Sequence, residues 1–207
     1  MAIVVIGGHS RNIGKTSVVA GLIAALPEYH WTALKITQYG HGVCSLNGNS
    51  CHCATDDHTW AISEEKDRSG ESDTSRFLVA GAVRAFWVRT EQGRLAEAIP
   101  TIRRRLAESE NVILESNSIL KFVRPELYLT VLDLATADFK PSAQEFLDLA
   151  DALILHASQR NKAAWTGISL KPVTGLPIFH ICPPEYVTRE MVEFVRSRVS
   201  AGLKPEA

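Results

Sequence analysis

The sequence has no surplus of either charge: 22 Lys and Arg stand against 23 Asp and Glu. Bulk binding of nucleic acid is therefore not expected. The one tight basic run, Arg103 to Arg105, lies in a helix-like stretch and reads as a solvated face. No apolar run is long enough to span a bilayer, which speaks against a membrane partner. The chain opens at once on a strand-like run, without a charged, apolar and small-residue leader. These absences lead to the expectation of a cytoplasmic protein. In that reducing setting the four cysteines do not point to disulfides. Internal repeats are also lacking.

What the chain does have is a rhythm. Apolar runs at 2–7, 31–40, 82–90, 111–116, 126–133, 150–158 and 176–184 read as strands. Helical spacing recurs at 14–27, 94–108 and 188–199, with a shorter helix-like piece before the run at 150. Strands that alternate with helices, several of them almost continuously apolar, predict an α/β fold. The expected architecture is a mainly parallel sheet with helices on both faces, formed by residues 1–207 as a single domain. Residues 40–72 break the rhythm: they are poor in apolar residues and rich in Gly, Ser, Asn, Asp, His and Cys. A structureless loop of that length is unusual inside a compact domain. The stretch is expected to be an irregular, functional insertion.

The first strand runs into "GGHSRNIGKTS", residues 7–17. Here too something is missing. The usual phosphate loop reads G-x-x-x-x-G-K-[ST], and its first glycine would fall at position 9, which is His9. The nearest glycine is Gly8. The context is otherwise that of a phosphate site: a strand, a polar loop, G-K-T and a helix. Backbone N–H groups at a helix N-terminus attract anions, a lysine supplies a point charge to the β- and γ-phosphates, and the threonine hydroxyl can ligate Mg²⁺. The expected nucleotide-binding residues are Gly8, Arg11, Asn12, Ile13, Gly14, Lys15, Thr16 and Ser17.

The longer spacing resembles that of dethiobiotin synthetase and its relatives, which read roughly G-T-x-T-x-V-G-K-T. Gly8 and Ile13 fill the corresponding glycine and apolar places. "KITQYG" (35–40) is similar to the K-P-V-x-x-G of those synthetases. The resemblance implies that Lys35 is a second, catalytic lysine beside Lys15, aimed at phosphate or substrate. The other reading is a strand-end lysine reaching solvent. A second stretch, "SDTSRFLVAGA" (72–82), resembles the D-S-x-R-x-x-x-A-G-A of the molybdopterin-guanine dinucleotide biosynthesis protein B family through Asp73, Ser75, Arg76, Ala80, Gly81 and Ala82. It also reads as an ordinary helix start, capped by Ser72 or Asp73 and ended by Gly81. The chain departs from both families. "LESNSI" keeps Glu115 but not the glycines of the synthetases, and "KITQYGHG" has His41 where the biosynthesis family has several histidines.

A phosphate loop needs a carboxylate at the end of another strand. Glu115 is the expected Mg²⁺ residue together with Thr16, while Asp133 reads as a cap or strand end. The N-K-x-D pattern for guanine is incomplete, because Asn161 and Lys162 are followed by Ala164 where the aspartate would stand. ATP and GTP stay open. Three cysteines and a histidine in the insertion, Cys44, Cys51, Cys53 and His58, form a candidate set for Zn²⁺ or an iron–sulfur cluster. Cys182 reads as core.

The resemblances imply a Mg²⁺-dependent protein that binds, and hydrolyses, a nucleoside triphosphate. Its role would be that of an accessory protein in cofactor biosynthesis of the molybdopterin-guanine dinucleotide type, with a biosynthetic enzyme as partner. One alternative is an ATP-dependent ligase or carboxylase like dethiobiotin synthetase. Another is a nucleotide-switched metallocentre-assembly or metal-carrying protein. Proteins of this fold group are often dimers, so a homodimer is expected.

Overall fold

The computed structural model describes residues 1–39, 59–157 and 163–202. Eight strands form one sheet: β1 (Ile3–Gly8), β2 (Trp31–Tyr39), β3 (Trp60–Glu64), β4 (Arg84–Glu91), β5 (Asn111–Glu115), β6 (Leu127–Leu132), β7 (Ala152–His156) and β8 (Ile178–Ile181). Their order is β3-β4-β2-β5-β1-β6-β7-β8. Every pairing is parallel except that of β3 with β4. The α/β architecture expected from the strand–helix rhythm is the one observed.

Helices cover both faces. α1 (Lys15–Ala25), α2 (Asp73–Val79) and α5 (Arg189–Gly202) lie on one side, where Val18, Leu22, Phe77, Met191 and Val195 share a core with Val4, Ile6 and Ile113. α3 (Leu95–Ala107) and the short α4 (Pro141–Glu145) lie on the other, where Ile99, Ile102 and Leu147 pack with Val5, Leu34 and Leu114. Strand side chains alternate between faces. Leu34 and Ile36 accordingly point to the α3 side, while Ala33 and Lys35 share the α1 side.

Two local expectations change. The insertion at 40–72 is not wholly irregular: β3 closes one edge of the sheet, with Ile62 opposite Val88. Only Trp60 and Ile62 of that strand pack against the core, so its apolar signal is two residues long and is lost among polar neighbours. The helix-like "SAQEFLDLA" is broken into α4 and a 3-10 turn over Leu147–Leu149. Among the described residues no helix is long and apolar enough to cross a membrane.

Candidate functional site

Ligand sites of parallel sheets lie beyond the carboxyl ends of the strands. Here β1, β5 and β2 are adjacent at the centre: β1 and β5 end in Gly8 and Glu115, and Lys35, midway along β2, lies level with Glu115. Register sets which side chains meet. Lys35 is the cross-strand partner of Glu115, and Glu115 that of Ile6. Register partners in a parallel pair face the same side, so Lys35 and Glu115 both point towards α1 and α2.

The loop between β1 and α1 turns on two left-handed residues, Asn12 (φ 55°) and Gly14 (φ 83°). Gly14 is required on two counts. Its φ disfavours any side chain, and an added Cβ would stand 2.3 Å from Cε1 of Tyr186. A Cβ at Gly8 would meet the Lys15 stem at 2.9 Å. The lysine stem folds back across the glycine that stands one position earlier than usual. The Lys15 ammonium donates to the Ser10 carbonyl at 2.6 Å. Burial pushes it below the usual lysine range and Lys35 adds to this, while Glu115 and Asp73 oppose it.

Thr16, at the start of α1, donates from its hydroxyl to Glu115 Oε2 at 2.7 Å. The Lys35 ammonium completes a compact cluster. It donates to Glu115 Oε1 at 3.1 Å, to Thr16 Oγ1 at 3.3 Å and to the Asp73 carboxylate. Burial alone would lower the pKa of Lys35. Glu115 and Asp73 outweigh it and raise the pKa, as expected when two opposite charges at about 4 Å interact by about 4 kcal/mol each at an effective dielectric of about 20. Lys35 is partly exposed, and its ammonium points at two carboxylates.

Asp73 is the residue that sequence reasoning passed over. Ser72 is the true cap of α2, its side chain accepting from Ser75 N–H at 3.0 Å. The neighbouring Asp73 is thereby left to face Lys35. The signal was present in the S-D-T-S-R stretch. Arg76, one turn on, donates to Ser17 Oγ at 2.9 Å and ties α2 to α1. Asn117 was also missed. Its amide exchanges two 2.9 Å bonds with the backbone of Gly8 and holds the end of β1.

The remaining predicted residues are distributed around this centre. Ile13 is buried in the core, and its carbonyl accepts from His156 Nε2–H at 2.8 Å. Arg11 and Asn12 are exposed on the loop. Asp133 turns back on its own loop, accepting from Ala135 N–H and the Thr136 hydroxyl. Cys182 is exposed rather than core, since it follows β8 at the sheet edge and pairs only with Glu185. Cys44, Cys51, Cys53, His58, Asn161 and Lys162 lie outside the described residues.

Thr16, Asp73 and Glu115 offer hard oxygen donors, the type Mg²⁺ selects. That these donors gather a cation is visible in the Lys35 ammonium among them.

No family model and no curated protein matches the sequence. Three solved structures are among those similar to the chain. LpxK from Aquifex aeolicus, in complex with ATP, is 17% identical with a TM-score of 0.46, covering 87% of this chain and 53% of its own. The chain thus spans about half the length of LpxK. HypB from Helicobacter pylori, in complex with nickel, is 13% identical with a TM-score of 0.47, covering 100% of this chain and 91% of its own. Bacillus subtilis MobB is 18% identical with a TM-score of 0.40 and full coverage of both chains. Nothing about substrate or partner rests on likenesses of this size. The α/β assignment rests on the sheet itself.

Proposed function

We propose that this protein binds a nucleoside triphosphate with Mg²⁺ at the β1–α1 loop and hydrolyses it, as an accessory in cofactor biosynthesis of the molybdopterin-guanine dinucleotide type. The observation that carries the nucleotide reading is the juxtaposition of Lys15 with the Thr16–Glu115 pair at the ends of the central strands. Lys15 neutralises phosphate charge, and the N–H groups opening α1 face the anion. Thr16, Glu115 and Asp73 hold the Mg²⁺. When bound, Mg²⁺ would offset the charge of the phosphates. The D-T-S-R resemblance supports the biosynthetic role, because Asp73 and Arg76 of that stretch both reach the phosphate-loop helix or its cation cluster.

Lys35 bears on the ligase reading. A lysine held by Glu115 and Asp73 is not presented to a second substrate as the synthetase resemblance implies. The metal-carrying reading depends on Cys44, Cys51, Cys53 and His58, and is tested by zinc and iron analysis of the purified protein together with thiol titration in the fold.

The decisive experiment is a thermal-shift panel of ATP and GTP with and without Mg²⁺. A ligand at about 100 times its Kd stabilises by about 2.7 kcal/mol, or about 5–10 °C for a chain of this size. The expected result is a Mg²⁺-dependent shift that disappears in Lys15→Ala. No shift with either nucleotide sinks the reading.

A further inference from the structure

His9 stands where the ordinary phosphate loop has its first glycine, and it is fully buried. Its ring packs against Phe139 and Trp165, with centroids 5.1 and 4.8 Å away. Both ring nitrogens are used. The Asp133 N–H donates to Nε2 at 3.0 Å, so that nitrogen is the acceptor, and Nδ1–H donates to the Asp138 carbonyl at 2.7 Å. The His9 backbone adds two bonds, with N–H donating to the Val131 carbonyl at 3.1 Å and its own carbonyl accepting from Lys140 N–H at 2.8 Å. Next to it, the Ser10 hydroxyl donates to Asp138 Oδ2 at 2.6 Å. The loop that follows β6, residues 133–140, is stitched along its length to the phosphate loop.

This stitching delivers a third cation. Lys140 is half-buried beside the phosphate loop. Burial, then repulsion from Lys15 and Arg11, push its ammonium down to about 8, against the opposing pull of Asp138 and Glu115. Lys35 is paired with two carboxylates, whereas among the described residues Lys140 makes no ion pair within 4 Å. Crowding three cations, Lys15, Arg11 and Lys140, is unfavourable by itself. It becomes favourable once an anion of several charges lies between them.

We propose that Lys140 is a further phosphate-binding residue of the β1–α1 site, carried there by His9 and specific for the charge that distinguishes a triphosphate from a diphosphate. This rests on the nucleotide reading and deepens it: the loop contributes Lys15 and the β6–α4 connection contributes Lys140. Two consequences separate a phosphate ligand from a structural lysine. Removing the charge relieves repulsion in the free protein, so the unliganded variant melts no lower than wild type. Affinity for a triphosphate also declines as pH rises through about 8, because Lys140 then loses its proton.

The test uses the full chain with Mg²⁺ and titration calorimetry. The probes are ATP, GTP, their diphosphates and inorganic tripolyphosphate, applied to wild type, Lys140→Met and Lys140→Arg. Lys140→Met is expected to weaken triphosphate and tripolyphosphate binding about tenfold, to leave the diphosphates within about twofold, and to keep or raise the unliganded Tm. Lys140→Arg is expected to restore affinity and to abolish its decline above about pH 8. Equal triphosphate affinity in wild type and Lys140→Met overturns the assignment. So does an equal loss for di- and triphosphates accompanied by a lower unliganded Tm. Wild-type binding of tripolyphosphate without either nucleotide overturns the nucleotide reading but leaves the Lys140 comparison intact. Binding of none of these probes overturns both.

Discussion

The Thr16 hydroxyl donates to Glu115 across 2.7 Å, joining the first turn of α1 to the last residue of β5 although 99 positions separate them. If this pair holds Mg²⁺, the hydroxyl matters more than the side chain's shape. Thr16→Ser is expected to retain Mg²⁺-dependent nucleotide affinity within about threefold, and Thr16→Ala to lose about tenfold or more. Nucleotide titrations with and without EDTA check this. Equal affinities for the Ala and Ser variants count against Thr16 as a metal residue.

Lys35 supplies the positive charge that lets Glu115 and Asp73 approach each other. Lys35→Met removes it and leaves Glu115, only 6% exposed, facing Asp73. Breaking a buried pair in this way typically costs about 3–5 kcal/mol. Because Asp73 is partly exposed, the lower end is expected. Addition of Mg²⁺ without nucleotide is expected to recover part of the loss, since a divalent ion takes over the oxygens. Urea unfolding with and without Mg²⁺ reads the effect, and a variant as stable as wild type refutes it.

Gly14 and Tyr186 can be separated by a double-mutant cycle. Gly14→Ala combines a left-handed residue, at about 1–2 kcal/mol, with an overpacked contact against Tyr186, at about 1–3 kcal/mol. In the Tyr186→Ala background only the backbone part should persist. Identical costs in the two backgrounds mean that the tyrosine ring does not abut the loop.

The burial of His9 makes stability depend on pH. Desolvation, aided by the positive charge of Lys15, lowers its pKa against the pull of Asp138 and Asp133. Below the ordinary histidine value of about 6.5 the unfolded chain takes up a proton that the folded protein refuses. Stability is therefore full above about 6.5 and is lost as pH falls towards the lower folded value. His9→Phe is expected to be about 1–3 kcal/mol less stable at about pH 7, having orphaned Asp133 N–H and the Asp138 carbonyl. It should also show a shallower decline towards about pH 5. Parallel slopes in wild type and variant exclude His9 as the titrating group.

The places of β1 and α1 to within two residues, the parallel sheet and the convergence of Lys15, Thr16 and Glu115 were legible because they depend on local period and on the strand-end rule. Three features were not. The partners of Lys35 depend on register, since a shift of one residue would turn its side chain to the α3 face, and register is set by long-range pairing. Asp73 was masked by the equally good reading of its stretch as a helix cap. His9 looked like a defect in a glycine pattern. Its function lies in contacts with Asp133, Asp138 and Lys140, more than 120 positions away, which no window of sequence contains.

The contacts of His9 also bear on how exchangeable the β1–α1 loop is. Taken alone, the β1–α1 segment would read as a cassette that could be transplanted with its strand and helix. Here the cassette has a second half in residues 133–140. Grafting a loop of the ordinary spacing, with glycine at position 9, would leave that half unanchored. The two segments have to be inherited, designed or exchanged together.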